Sequence, residues 1–175
     1  MNETSTTKVA IIGLGNIGKV VAANLIKGGH AIMIASRDIE KAQSFAADLG
    51  SLATAMETSD AINKADVIIP ALYFNSLKEF FTTYATELDG KIIIDVSNPI
   101  APNGKGGFTK IIGENESAAK ILSDFVPKNA KLIKAFGTLG AESLSNEAFS
   151  QPEQKVLFYA SDSTNNNAVV EELIT

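Results

Sequence analysis

The sequence predicts an α/β fold in which a mostly parallel, doubly wound sheet is covered by helices on both faces. Apolar runs of strand length recur along the chain, and segments whose apolar residues are spaced by three and four positions separate them. Several runs consist almost entirely of Val and Ile, which is typical of strands buried on both faces. Because 175 residues support one well-packed core, we expect a single domain over residues 1–175.

The predicted strands and helices alternate from the first strand onward. Val21 and Leu25 belong to the apolar stripe of a first helix, and Gly28 suits its end. Asp38 can cap a second helix, and Gly50 can end it. The predicted strands are Lys8 to Ile12, Ala31 to Ala35, a weak one at Leu52 to Ala55, Asp66 to Ala71, Lys91 to Val96, Lys131 to Phe136 and Lys155 to Ala160. Two further helical stripes consist of Leu77, Phe80, Phe81 and Tyr84, and of Ala118, Ile121, Leu122 and Phe125.

Two segments depart from this alternation. The stretch from Ile100 to Gly113 is rich in Gly and Pro, which predicts a flexible loop or lid. The segment from Asn165 to Thr175 begins as a helix but leaves an apolar stripe without an evident partner surface. That stripe consists of Val169, Val170, Leu173 and Ile174. We therefore expect that the C-terminal tail is truncated, or that the chain ends against another subunit as in a homodimer.

The composition argues against several classes of function. A net charge of -5 disfavours nucleic acid or an anionic membrane surface as a partner, because both attract a concentrated basic field. The chain has no Cys and one His, so we expect no thiolate nucleophile, no metal site and no Ser-His pair. No export signal is evident, and no apolar run approaches the roughly 20 residues that span a bilayer. These features predict a cytoplasmic protein.

A glycine motif directly follows the first predicted strand. Residues Gly13-Leu14-Gly15-Asn16-Ile17-Gly18 match G-x-G-x-x-G and open the first helix, the context in which this motif binds a dinucleotide in Rossmann folds. In that role Gly13 permits the tight turn, Gly15 lets the backbone approach a pyrophosphate, and Gly18 lets helix and strand pack closely. The alternative interpretation is a glycine-rich turn without a ligand.

The end of the second predicted strand indicates which dinucleotide is bound. An NAD-binding protein usually places Asp or Glu about 20 residues after the first glycine, where the acid bonds to the ribose hydroxyls. This chain has Ser36 and Arg37 there, and Lys41 follows one helical turn later. A hydroxyl and a guanidinium suit a 2′-phosphate, which a carboxylate would repel, so we predict NADP(H). The alternative is that Arg37 and Lys41 are solvated surface charges.

Several motifs together resemble the NADPH-dependent F420 reductase family, which is related to the NADP-binding domain of the STEAP metalloreductases. The resemblance runs in order over nearly the whole chain. Its motifs are Gly13-Leu-Gly-Asn-Ile-Gly18, Ser36-Arg-Asp-Ile-Glu-Lys41, Ser97-Asn-Pro99, Gly106-Gly-Phe-Thr109, Glu116-Ser-Ala-Ala119 and Lys134-Ala-Phe-Gly-Thr-Leu139. The stretch from Pro70 to Ser76 departs from the aliphatic-Pro-aromatic order expected there, so we expect the wall of the nicotinamide pocket to differ.

The resemblance implies hydride transfer between NADP(H) and a small-molecule acceptor, either F420 or a related flavin such as FMN or FAD. It implies pyrophosphate contacts at Leu14, Gly15, Asn16 and Ile17, and 2′-phosphate contacts at Ser36, Arg37 and Lys41. It places Leu72, Ser76, Asn98 and Pro99 along the nicotinamide, and Gly137, Thr138 and Leu139 near the place where the two rings meet.

No catalytic side chain is predicted, because hydride transfer between stacked rings requires alignment and exclusion of water rather than a protein acid or base. A carbonyl reductase would need a proton donor, for which Tyr73 and Lys134 are the candidates. We expect Tyr73 to form a pocket wall or to pack as an aromatic residue, and Lys134 to extend along the surface. Asn98-Pro99 either orients an amide toward the nicotinamide or forms a plain turn.

Two other functions stay open at this point. One is a non-catalytic module that binds NADP or senses redox state. The other is the cofactor domain of a truncated two-domain dehydrogenase, related to pyrroline-carboxylate reductase or to the β-hydroxyacid enzymes.

Overall fold

A computed structural model describes residues 7–146, 156–162 and 164–174 and shows strands alternating with helices. The strands are β1 (Val9–Ile12), β2 (Ile32–Ala35), β3 (Ala53–Ala55), β4 (Val67–Pro70), β5 (Ile92–Asp95), β6 (Ile100–Pro102), β7 (Phe108–Lys110), β8 (Lys131–Lys134) and β9 (Ala160–Ser161). The helices are α1 (Asn16–Lys27), α2 (Ile39–Leu49), α3 (Thr58–Lys64), α4 (Phe74–Thr83), α5 (Ala85–Leu88), α6 (Ala118–Ser123), α7 (Ala141–Asn146) and α8 (Asn167–Ile174), with a short 3-10 helix at Thr164–Asn166.

The main sheet contains seven strands in the order β3-β2-β1-β4-β5-β8-β9. Neighbouring strands pair in parallel except β8 and β9, which are antiparallel. The chain builds the sheet outward from β1 in both directions, so the strand order reverses between β1 and β4. In folds of this kind ligands bind outside the carboxyl ends of the strands at such a switch point. We call this side of the sheet the carboxyl edge.

Helices cover both faces of the sheet and create two cores. β1 supplies Val9 and Ile11 to the core beneath α1, α2 and α8, and Ala10 and Ile12 to the core beneath α3, α4, α5 and α6. Successive residues of a strand point to opposite faces, so an unbroken apolar run serves both cores. None of the helices in the described ranges has the length and apolar content needed to cross a membrane.

The predicted fold class is confirmed, and each strand predicted before residue 146 is present in a slightly shorter form. The last predicted strand, Lys155 to Ala160, is largely wrong. Lys155 lies outside the described residues, residues 156–159 are not in a strand, and Ala160–Ser161 pairs antiparallel with β8. Helices α3, α5 and α7 were not predicted, because four to seven residues are too few to show a repeated apolar spacing.

The segment predicted as a flexible loop or lid contains regular structure. β6 and β7 form an antiparallel hairpin in which Pro102 pairs with Phe108. Gly104 and Gly106 adopt φ of 72° and 82° in the turn, which explains the glycines that suggested a loop. The side-chain oxygen of Asn103 accepts from the amides of residues 105 and 107, so the turn is held by its own hydrogen bonds.

Lys110 ties the hairpin to the segment that follows it. Its ammonium donates to the carbonyl oxygens of Gly113, Glu114 and Glu116 at 2.7, 2.9 and 3.5 Å.

We expect Lys110→Met to speed amide hydrogen exchange in residues 111–116 by about tenfold, because this local structure loses its shared donor. Exchange followed by mass spectrometry should be unchanged in β1, and equal exchange of residues 111–116 in both proteins would contradict the prediction.

The C-terminal helix finds its partner surface within the chain. Val170 is fully buried and Leu173 nearly so, and both join the core that contains β1. Val169 and Ile174 pack against the same core. The expectation that this stripe lacks a partner surface is therefore wrong, and a second subunit is not needed to cover it.

Candidate dinucleotide-binding site

Two glycines of the turn after β1 are required by the fold itself. Gly13 has φ of 105°, which L side chains rarely adopt, and its amide donates to the Ala35 carbonyl at 2.8 Å. A Cβ at Gly13 would lie 2.7 Å from the Ala71 carbonyl oxygen. A Cβ at Gly18 would lie 2.1 Å from the Gly13 carbonyl oxygen. Both glycines allow β1, α1 and β4 to approach one another, with or without a ligand.

Gly15 differs, because nothing in the protein requires a glycine there. It precedes α1 with φ of -72° and ψ of -177°, a conformation open to any residue. A Cβ added to Gly15 would meet no atom within 4 Å. The missing side chain leaves space beside the start of α1, and close approach of a ligand is a physical reason for a glycine at this position.

The N-terminus of α1 offers backbone donors that the helix does not use. Its first hydrogen bond runs from the Lys19 amide to the Gly15 carbonyl at 3.0 Å, so the amides of residues 16–18 have no acceptor within the helix. No side chain caps this end, and no acidic residue lies in its first turn. The partial positive charge of the helix end is therefore not neutralised by a nearby acid, which suits an anion such as a pyrophosphate.

The end of β2 lies beside this turn and carries the residues predicted to bind the adenosine phosphate. The Ser36 hydroxyl is used locally, since it donates to the Asp38 carbonyl at 2.5 Å and accepts from the Asp38 amide at 3.2 Å. Arg37 is exposed and takes part in neither of the ion pairs found among the described residues. The Arg37 guanidinium is available to an anion. The Ser36 hydroxyl can donate to an anion only after it gives up its hydrogen bond to the Asp38 carbonyl.

Lys41 is paired with Asp38, which also caps α2. The ammonium of Lys41 lies 3.1 Å from Asp38 Oδ2, and the Lys41 amide donates to Asp38 Oδ1 at 3.1 Å. The predicted cap of α2 is thereby confirmed.

These contacts also lower the pKa of Asp38 below its ordinary value. The largest cause is the hydrogen bond from the Lys41 amide, and the second is the bond from the Lys41 side chain. The carboxylate therefore stabilises α2 fully above pH of about 4, and this contribution is lost as the pH falls through the lowered pKa.

The segment after β4 carries the exposed side chains of Tyr73 and Ser76 and the half-buried side chain of Leu72. Leu72 lies over the glycine turn, with its Cδ2 3.0 Å from where a Cβ at Gly13 would be. Tyr73 immediately precedes α4 and is 87% exposed. Ser76, also exposed, donates its amide to the Tyr73 carbonyl at 2.8 Å. Tyr73 is therefore not a packed aromatic residue, and its ring is open to a ligand at the carboxyl edge.

The loops after β5 and β8 meet at Asn98 and Gly137. The side-chain amide of Asn98 donates to the Gly137 carbonyl at 2.9 Å, so Asn98 does more than initiate a turn. The structure thus brings together residues predicted to lie beside the nicotinamide and the second ring, although they are distant in the sequence. The other predicted members of these loops are Pro99, Thr138 and Leu139.

Phe136 holds the second of these loops in place. It has φ of 58°, a left-handed conformation that costs a non-glycine residue roughly 1–2 kcal/mol. Its ring is buried in the core that also contains β1, and this packing offsets the backbone strain.

Lys134 is not the surface residue that the sequence suggested. It is the cross-strand partner of Asp95, whose carboxylate is fully buried, and its ammonium lies 3.1 Å from Asp95 Oδ2. The same ammonium donates to the Ser97 carbonyl, while the Ser97 amide donates to Asp95 Oδ1 at 2.8 Å. Sequence reasoning missed this cluster, although an acid at the end of an apolar strand is a signal, because a buried carboxylate needs a partner.

A doubly wound sheet with a G-x-G-x-x-G turn at its switch point defines the Rossmann class of dinucleotide-binding folds. Residues 8–99 match the family model described as NADP oxidoreductase, coenzyme F420-dependent. The chain belongs to this family of NADP oxidoreductases, and the resemblance inferred from its motifs is confirmed.

Most of the chain is similar to part of a longer curated protein. Metalloreductase STEAP3 of Rattus norvegicus is 28% identical over 137 residues, which cover 78% of this chain and 26% of that protein. The chain spans about a quarter of the length of the curated relatives it matches.

Two solved structures show the same fold over almost the whole chain. A protein of unassigned function from Sinorhizobium meliloti is 29% identical with a TM-score of 0.84, covering 98% of this chain and 83% of its own. A protein of Arthrobacter sp. FB24, whose activity is inferred to be that of an F420-dependent NADP reductase, is 21% identical with a TM-score of 0.79. That match covers 96% of this chain and 79% of the other.

Proposed function

We propose that this protein binds NADP(H) at the glycine turn and transfers a hydride between NADP(H) and F420 or a related flavin such as FMN or FAD. The observation that carries the proposal is Gly15. Neither its backbone angles nor its neighbours demand glycine, so its missing side chain is explained by a ligand that approaches the backbone. The unused amides at the start of α1 are the matching donors for a pyrophosphate.

The 2′-phosphate of NADP(H) is assigned to the segment after β2. Arg37 supplies the principal contact, because its guanidinium is exposed and unpaired among the described residues. Lys41 contributes less, since Asp38 already neutralises it. Ser36 contributes after its hydroxyl leaves the Asp38 carbonyl.

The nicotinamide and the acceptor are assigned to the rest of the carboxyl edge. Bound NADPH supplies the hydride, and the chain supplies alignment and exclusion of water. We assign Leu72, Ser76, Asn98 and Pro99 to the nicotinamide, with Tyr73 beside them. The turn from Gly137 to Leu139 is assigned to the acceptor ring, and the exposed ring of Tyr73 offers a further apolar surface at the carboxyl edge.

The test is a titration followed by an activity assay. Binding of NADPH and NADH is measured by fluorescence, and tighter binding of NADPH is expected. NADPH absorbance is then followed with FMN, riboflavin, FAD or F420 as acceptor, and at least one should be reduced. Equal affinity for NADH would overturn the assignment of the 2′-phosphate. Binding of NADPH with no acceptor reduced would instead favour a non-catalytic NADP-binding module.

The Asp38–Lys41 pair yields a prediction of improved binding. We expect Asp38→Asn to bind NADPH about threefold more tightly, because a negative charge is removed and the Lys41 ammonium is released for the phosphate. Asn also caps helices well, so α2 should persist. The affinity for NADH should not change, and adding Lys41→Ala should abolish the part of the gain that comes from the released ammonium. Weaker NADPH binding in the fluorescence titration would contradict the prediction.

A further inference from the structure

The carboxyl ends of β5 and β8 hold a cation with spare hydrogen-bonding capacity. The Lys134 ammonium donates to Asp95 Oδ2 and to the Ser97 carbonyl, and no third acceptor for it is found among the described residues. An ammonium has three donors, so one remains. The Lys134 side chain is 26% exposed while Asp95 is fully buried, so this charge is the accessible member of the pair.

Gly137 keeps the approach to this ammonium open. A Cβ at Gly137 would lie 3.3 Å from Lys134 Nζ and 3.4 Å from Asn98 Oδ1. A side chain at position 137 would therefore crowd the ammonium. The φ of Gly137 is not among the positive values of the described chain, so the backbone conformation does not explain the glycine.

Ser97 adds a second unsatisfied group beside Lys134. The residue is 6% exposed, and its Oγ has no hydrogen-bond partner in the described part of the chain. A buried hydroxyl without a partner is unfavourable, and a polar ligand atom at the carboxyl edge would relieve that cost. Ser97 and Lys134 thus offer a polar ligand one hydroxyl and one N–H that the described residues leave without a partner.

We propose that Lys134 donates its remaining N–H to the hydride acceptor and stabilises the negative charge that the acceptor ring gains on reduction. This inference rests on the proposed function. In the transfer, the hydride leaves C4 of NADPH with both electrons of its C–H bond and forms a new bond at N5 of a flavin or C5 of a deazaflavin. NADPH is oxidised to NADP⁺, and the reduced ring carries one additional negative charge until it takes a proton from solvent.

Lys134 is suited to this role by its position and by the rigidity of its anchor. Two other lysines that follow strands have ammonium groups already engaged, since Lys41 is paired with Asp38 and Lys110 donates to three backbone carbonyls. The buried Asp95 fixes the Lys134 ammonium before the acceptor arrives, so the charge needs little reorganisation during the reaction. The acceptor is therefore one whose reduced form is anionic, which describes flavins and deazaflavins.

The test compares binding of oxidised and reduced acceptor without turnover. FMN and F420, each in oxidised form and reduced in advance, are titrated anaerobically by calorimetry into the full chain. We expect the wild type to bind the reduced form of at least one acceptor more tightly than its oxidised form. Lys134→Gln should weaken binding of the reduced form by about tenfold and leave the oxidised form within about twofold. In acceptor reduction it should lower kcat more than it raises KM.

Two further variants separate charge from structure. Asp95→Asn keeps the cation and should preserve the preference for the reduced acceptor. The double variant Asp95→Asn with Lys134→Gln leaves no unpaired buried charge, so it keeps the test valid if Lys134→Gln alone does not fold. It should lose the preference as Lys134→Gln does. NADPH affinity should be unchanged in all variants that fold.

The outcomes distinguish this inference from the proposed function. The role of Lys134 would be overturned if Lys134→Gln weakened binding of both redox forms equally, or if the double variant weakened binding of neither. Either result would leave the proposed function intact. A wild type that binds neither FMN nor F420 in any redox state would refute the proposed acceptor class and this inference with it.

Discussion

The Gly18→Ala variant is expected to lose about 3 kcal/mol or more of its free energy of unfolding. The new methyl group would lie 2.1 Å from the Gly13 carbonyl oxygen and 3.0 Å from the Ala71 Cβ. The nearest of these atoms belongs to the backbone of the turn, so no side chain can move aside to relieve the clash. α1 would have to move away from β1 and β4, which form the centre of the sheet.

Gly15→Ala is the matched control for this experiment. It adds the same methyl group to the same turn at a place where nothing lies within 4 Å. Its free energy of unfolding, from urea denaturation, should stay within about 1 kcal/mol of the wild type. Its affinity for NADPH should nevertheless fall by about tenfold or more, because the methyl group occupies the approach to the backbone. Comparable stabilities for the Gly18→Ala variant and the wild type would contradict the steric argument, and unchanged NADPH affinity in the Gly15→Ala variant would contradict the ligand argument.

The second large effect is expected at Arg37. Arg37→Ala should weaken NADPH binding by about 10- to 100-fold, which corresponds to the 1.5–3 kcal/mol of a hydrogen bond to a charged group. The exposed guanidinium has no ion-pair partner among the described residues, so its removal leaves no unpaired acid and should not affect folding. NADH lacks the 2′-phosphate, and its affinity should be nearly unchanged.

The comparison of NADPH with NADH makes the Arg37 measurement specific. Lys41→Ala should have a smaller effect on NADPH, because Lys41 is already neutralised by Asp38. Arg37→Lys should restore part of the affinity, since an ammonium keeps the charge but loses the bidentate geometry. Equal losses for NADPH and NADH in fluorescence titrations would show that Arg37 does not contact the 2′-phosphate.

Much of the fold could be predicted from the sequence because its signals are local. The Val and Ile runs of the central strands, and the apolar stripe of α1 around Val21 and Leu25, follow from residue spacing alone. The glycine turn could be placed because β1, the turn and α1 are contiguous. Gly15 is a partial exception, since its distinction from Gly13 and Gly18 depends on φ angles and on atoms after β4.

The features that sequence reasoning missed depend on contacts between distant residues. Lys134 was assigned to the surface because its partner Asp95 lies 39 positions away and meets it only when β5 and β8 pair. The sequence predicts Lys41 as a phosphate contact and Asp38 as a helix cap, but it does not reveal the ion pair between the two side chains. The sequence predicts a loop in place of the β6–β7 hairpin, because strands of three residues give too short a pattern to recognise.

The left-handed backbone of Phe136 bears on how the turn after β8 would receive a ligand. Because the Phe136 side chain is packed in the core, the adjoining turn cannot move without pulling that side chain out. The conformation of the turn is therefore fixed before a ligand binds. Such preorganisation would reduce the conformational entropy lost when a ligand binds beside this turn, so little binding free energy would be spent on ordering the polypeptide.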